Sequence, residues 1–169
     1  MPGRAQPSSR EPLYTPEERR RRDASPWTLV QGVLAPLQFI VFLVSLGLVL
    51  RYLVSGEGFE LATISIVVKT LVLYTIMVTG SIWEKEVFGV YLFARPFFWE
   101  DVFSMLVIAL HTAYLAALFA GIDPYLQMYI ALAAYLTYVI NATQFLLKLR
   151  AARLQQRAQD LAEGLGVAE

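Results

Sequence analysis

One stretch of the chain gathers most of its chemistry. Glu84, Glu86, Glu100 and Asp101, with Lys85 and Arg95, flank or interrupt a segment carrying Phe88, Tyr91, Phe93, Phe97, Phe98 and Trp99. Carboxyls set beside large apolar rings lose hydration. That favours the neutral acid and suits a general acid working near neutral pH. An aromatic belt with interfacial charges would use the same residue types.

Elsewhere, polar side chains recur at helical spacing inside apolar sequence. Gln31, Gln38, Ser45 and Tyr52 follow one another every seven residues, and Glu100, Ser104 and His111 share a face. Thr137, Asn141, Gln144 and Lys148 fall at i, i+4, i+7 and i+11. Each set forms one stripe on a helix and should face the interior of a bundle, as interhelical glue or as the lining of a site. Lys69 lies within an apolar run, where it would snorkel outward or meet an acceptor from another helix. His111 is the single histidine. It reads either as a hydrogen-bonding core residue or as an axial ligand to a metal in a bound macrocycle. A haem held between two histidines is excluded.

The elements that must position these residues are membrane helices. The 169-residue chain is 57% hydrophobic with a mean hydropathy of +0.52, and its charges cluster instead of interleaving with apolar residues. Four runs, at about 28–50, 61–83, 102–120 and 125–147, are long enough to cross the bilayer: the first covers roughly 35 Å against a hydrocarbon core of about 30 Å. Pro36 falls inside the first run and is expected to kink it. Residues 1–14 read as a disordered tail. Thr15 and Glu18 then form a capping-box pattern with Pro16 at the first helical position, and Ser25-Pro26 repeats the cap. The membrane domain spans 15–157, and 158–169 form a C-terminal tail. The expected architecture is all-α, a polytopic four-helix transmembrane bundle.

Basic residues predict the orientation. Twelve of the fourteen lie in the N-terminal segment, the 84–101 connection and the C-terminal segment, leaving Arg51 on the other side and Lys69 within a span. The positive-inside rule puts both termini in the cytoplasm. Trp27, Trp83 and Trp99 fall at the same ends of their spans. The chain has no cysteine and a formal net charge of zero, so it offers no thiolate chemistry and its bulk charge points to no nucleic-acid partner. A proton-coupled exporter normally carries a carboxylate within a span, and here every acid lies at a boundary or in a connection.

Three segments carry a family resemblance: LYTPEERRRRDASPWTLVQG at 13–32, TGSIWEKEVFGVYLFARPFFWEDVFSMLVIALHTAYLAAL at 79–118, and YVINATQFLLKLRAARL at 138–154. Over roughly 13–154 the chain resembles the 3-vinyl (older name 2-vinyl) bacteriochlorophyllide hydratases. Arg95 departs from that pattern. The resemblance implies an enzyme that adds water to the C3-vinyl group of chlorophyllide a or 3-vinyl bacteriochlorophyllide a, giving a 3-(1-hydroxyethyl) product on the route to bacteriochlorophyll a. It implies an Mg-chlorin substrate that brings its own magnesium, with no further cofactor, and a bacterial inner (intracytoplasmic) membrane location with the active face cytoplasmic. Other enzymes of the same pathway would be partners. The resemblance transfers no catalytic residues.

Chemistry assigns the roles instead. Glu84 is the expected general acid, and Glu100 or Asp101 the group that positions and deprotonates water, with Asn141 and Gln144 assisting. Lys85, with Arg95, would pair with the substrate propionate. Trp83, Phe97, Phe98 and Trp99 would stack on the ring, and His111 is the candidate axial ligand of the substrate magnesium. A non-catalytic pigment-binding or photosystem assembly protein would use the same aromatic face.

Overall fold

The computed structural model describes residues 13–166, all helical apart from short connections, with no strand among them. Helix α1, Pro16–Ala24, begins on a capping box: the Thr15 hydroxyl accepts the Glu18 amide at 3.2 Å and the Glu18 carboxylate accepts the Thr15 amide at 2.7 Å. Its first turn is acidic and its last basic, matching the helix dipole. Ser25 ends α1 and caps α2, Pro26–Ser55, which runs unbroken through Pro36. Helix α3, Phe59–Phe88, stops at Gly89, whose φ of 84° is a left-handed geometry that a side chain would resist. A 3-10 turn, Arg95–Phe97, leads into α4, Phe98–Phe119, and α5 covers Pro124–Gly166.

Four helices are long and apolar enough to cross a membrane: Pro26–Ser55, Phe59–Phe88, Arg95–Phe119 and Pro124–Arg157. The short connections make α2 and α3 one antiparallel pair and α4 and α5 another, and contacts of α2 with α5 and of α3 with α4 join the pairs. Phe42, Val49, Ile66, Val107, Tyr114 and Met128 fill the interior. Leu29, Val33, Ile40, Val54, Phe119 and Leu136 point outward, as lipid-facing residues do. The chain is a multi-pass membrane protein.

The polar stripes face inward, as their spacing requires. Gln38, Ser45 and Tyr52 are buried, and Gln31 donates to Thr79 at 2.8 Å. Ser45 bridges Ser65 and Tyr135 at 2.7 and 2.5 Å. Lys69 meets an acceptor on another helix: its ammonium lies 3.1 Å from His111 Nε2 and 4.1 Å from the centre of the Tyr138 ring.

At both ends the ordered chain reaches beyond the sequence-based boundaries. Residues 1–12 of the expected tail lie outside the described residues, but Leu13 and Tyr14 pack against the bundle. At the other end α5 continues past Arg157 to Gly166. Residues 148–163 contain no proline or glycine and are rich in Ala, Leu, Gln and Arg, which sustain a helix.

A carboxyl pair at one end of the bundle

The end of the bundle that carries α1 holds the acidic and aromatic residues. Glu84 lies in the last turns of α3, and Glu100 and Asp101 in the first turn of α4. All three carboxyls are buried. Successive helical residues point about 100° apart, so Glu100 and Asp101 address different neighbours. Asp101 turns to α3, where its carboxyl and that of Glu84 are within hydrogen-bonding reach of each other. Glu100 turns to α5 and forms an ion pair with Lys148 at 2.5 Å.

The connection between α3 and α4 holds the pair from above. Phe93 donates its amide to Asp101 Oδ2 at 2.7 Å, and the next amide, Ala94, donates to Glu84 Oε2 at 3.2 Å. Two consecutive N–H groups aimed at two carboxyls form an anion-binding concavity. Phe93 adopts a φ of 60° to make it, the one positive φ at a non-glycine among the described residues. For a bulky residue that geometry stores strain, of order 1–3 kcal/mol. Lys148 anchors the far end of the connection through the Pro96 carbonyl, with its ammonium 5.1 Å from the centre of the Phe97 ring.

The aromatic residues divide into two groups. Trp83 and Phe97 pack inside a cluster with Tyr14, Phe88 and Phe145. Tyr14 stacks on Phe88 at 5.8 Å, and Arg22 lies 4.7 Å over its ring. Burial pushes the Tyr14 phenol up, with Arg22 opposing. Trp83 donates to Thr28 at 2.9 Å, and Ser25 donates to Glu86 at 2.5 Å, so α1 and the start of α2 are latched to the end of α3. Phe98 and Trp99 instead face outward, together with Phe93 and Tyr91.

The remaining expected site residues are spread more widely. Lys85 is exposed, donates to the Gly89 carbonyl at 2.8 Å and lies 5.3 Å over Tyr91. Arg95 opens the 3-10 turn. Asn141 donates to Ser104 at 2.8 Å, one turn inward from Asp101. Its Oδ1 and the Gln144 Oε1 are buried without a partner from the protein. His111 lies deeper and is fully buried, with Nε2 against Lys69 and Nδ1 2.8 Å from the Val107 carbonyl. Both of its ring nitrogens are engaged inside the bundle. Among the described residues no group of three or more His, Asp or Glu side chains is arranged to hold a metal ion.

Sequence reasoning missed Lys148, Tyr14 and the Phe93 and Ala94 amides. Lys148 had a visible signal, its place on the Thr137–Asn141–Gln144 stripe. The amides had none, because backbone donors leave no mark in residue type.

The family model for 2-vinyl bacteriochlorophyllide hydratase matches residues 14–151. A 2-vinyl bacteriochlorophyllide hydratase of Rhodobacter capsulatus is 70% identical over 160 residues, covering 95% of this chain and 94% of the relative. A protein of the same name from Cereibacter sphaeroides is 72% identical over 146 residues, covering 86% and 91%. No solved structure matches the chain. The buried carboxyl pair and its aromatic surround fall within the matched segment, and the chain belongs to the 2-vinyl bacteriochlorophyllide hydratase family.

Proposed function

We propose that this chain is a hydro-lyase acting in bacteriochlorophyll biosynthesis, and that it adds water across the C3-vinyl group of chlorophyllide a or 3-vinyl bacteriochlorophyllide a with Glu84 and Asp101 as its acid–base pair. The family and the relatives' names support the reaction. The observation that carries the residue assignment is the pair of carboxyls under consecutive amides. Two carboxyls in such contact share a proton, because like charges that close cannot both be ionised cheaply. Asp101 has the shorter amide bond, so the negative charge rests there and the proton rests on Glu84.

From that state the chemistry closes on itself. Glu84 gives its proton to the terminal vinyl carbon, and the cation left on the adjacent carbon is delocalised into the macrocycle. Water attacks that carbon, and Asp101 takes the proton it sheds. The product is the 1-hydroxyethyl group, and the hydrogen bond between the carboxyls returns the proton from Asp101 to Glu84. One water is consumed and no redox equivalent is required.

The outward Phe93, Phe98 and Trp99 offer an apolar aromatic surface beside the pair, against which a chlorin can pack. Lys85, over Tyr91, and Arg95, in the same connection, are the basic groups suited to the propionate. Asn141 and Gln144, each with an acceptor oxygen the protein leaves unpartnered, are suited to orient water. His111 has no magnesium role in this scheme. The twelve-to-one distribution of basic residues supports a cytoplasmic location for this end and for both termini, in the bacterial inner membrane. Other enzymes of the pathway are candidate partners for handing over the substrate.

The test is to incubate membranes containing this protein alone with chlorophyllide a in 18O-labelled water. Hydration shifts the red absorption band to the blue and places one labelled oxygen in the product. Pigment binding with an unchanged spectrum would make the chain a pigment carrier instead.

A further inference from the structure

We infer that Lys148 is a positioning residue that acts through Glu100, cancelling its charge so that the Glu84–Asp101 pair holds a single shared proton. The inference rests on the acid–base reading above and adds a residue which that reading does not need for any bond it makes or breaks.

Three observations lead to it. Glu100 and Asp101 are adjacent and both buried, so with Glu84 three carboxyls crowd one end of the bundle. Three buried carboxyls without a counter-charge would each favour the neutral form. Lys148 is the cation at hand. It crosses from α5 to reach Glu100 at 2.5 Å, grips the Pro96 carbonyl, and lies over Phe97. Its other contacts tie it to the connection that carries the Phe93 and Ala94 amides, so one side chain sets both the charge and the geometry around the pair.

Two other charged groups nearby are directed elsewhere. Lys85 turns to the Gly89 carbonyl and Glu86 to Ser25. Acting on Asp101 are Glu84 from α3, Glu100 from α4, Lys148 from α5 and the Phe93 amide from the connection. With Lys148 in place, the Glu100 carboxyl is paired to its own cation. Without it, that carboxyl stands uncompensated beside Asp101.

The test uses the full-length protein in lipid nanodiscs and two readouts: the pH profile of hydration, and infrared titration of the protonated carboxyl C=O stretch, which requires no turnover. In Lys148→Met the acid limb of both should move to higher pH by about one pH unit. Lys148→Arg, which keeps the charge, should hold the wild-type limb. Glu100→Gln, which leaves the cation uncompensated beside Asp101, should move it to lower pH. The double variant Glu100→Gln/Lys148→Met should return it toward wild type. An unmoved limb in Glu100→Gln, or a double variant as displaced as Lys148→Met alone, overturns the inference, and the first of these is readable even if Lys148→Met does not accumulate. Because the infrared titration is independent of activity, it separates this outcome from failure of the acid–base reading.

Discussion

Glu84 of α3 and Asp101 of α4 are suspended from consecutive amides of the connection between them, Ala94 donating to the first at 3.2 Å and Phe93 to the second at 2.7 Å. A single turn therefore decides how far apart the two carboxyls sit.

Removing either carboxyl should stop the reaction. Glu84→Gln and Asp101→Asn are each expected to lower the hydration rate by about 10²-fold or more, the usual range for general acid or base catalysis. Glu100→Gln should stay within about tenfold at its own pH optimum. The rate should be bell-shaped in pH, because one carboxyl must be protonated and the other ionised: it falls at low pH as Asp101 takes a proton, and at high pH as the shared proton is lost. Initial rates from the red absorption band, followed from acid to alkaline pH, measure all three.

The strained turn separates binding from chemistry. Phe93→Gly accepts a φ of 60° without penalty, so the amides should keep their places while the outward ring is lost. KM should rise while kcat is largely retained. Phe93→Val puts a β-branched residue where it is least tolerated, which should cost about 1–3 kcal/mol and lower kcat as the turn relaxes. Steady-state kinetics on the two variants, with thermal unfolding in detergent, distinguish the effects.

Deep in the bundle, Lys69 and His111 depend on each other. His111→Leu leaves the buried Lys69 head group without its hydrogen-bond partner, and the loss should be about 1–3 kcal/mol. The double variant Lys69→Met/His111→Leu removes both polar groups and should recover most of that stability. Pigment affinity should be unchanged in both if His111 has no role at magnesium. Detergent unfolding curves and absorption titrations with chlorophyllide a check the two halves.

The latch between α1 and α3 runs through Ser25, which caps α2 and donates to Glu86. Ser25→Ala loses both interactions and should cost about 1 kcal/mol or somewhat more. The loosened α1 should expose Tyr14 and Trp83, so a red shift of tryptophan emission and faster proteolysis near Arg19 to Arg22 are the expected signs.

The membrane helices were legible in the sequence because the bilayer imposes a length and forbids unpaired backbone polar groups. Within 13–166, four apolar runs could be little other than four helices. The inward direction of Gln38, Ser45 and Tyr52 was legible too, since a seven-residue spacing returns to nearly the same helix face. The same rule shows that Glu100 and Asp101 must point apart, without saying toward what. Only the packing of α3, α4 and α5 gives Asp101 to Glu84 and Glu100 to Lys148. The aromatic residues show the same divide. Composition marks Trp83, Phe97, Phe98 and Trp99 alike, while the fold turns two of them into a cluster with Tyr14 and leaves two on the surface. One-dimensional spacing determines which residues share a face. Which faces meet depends on how helices distant in sequence pack, and here that packing sets one carboxyl of α4 beside a carboxyl and the other beside a cation.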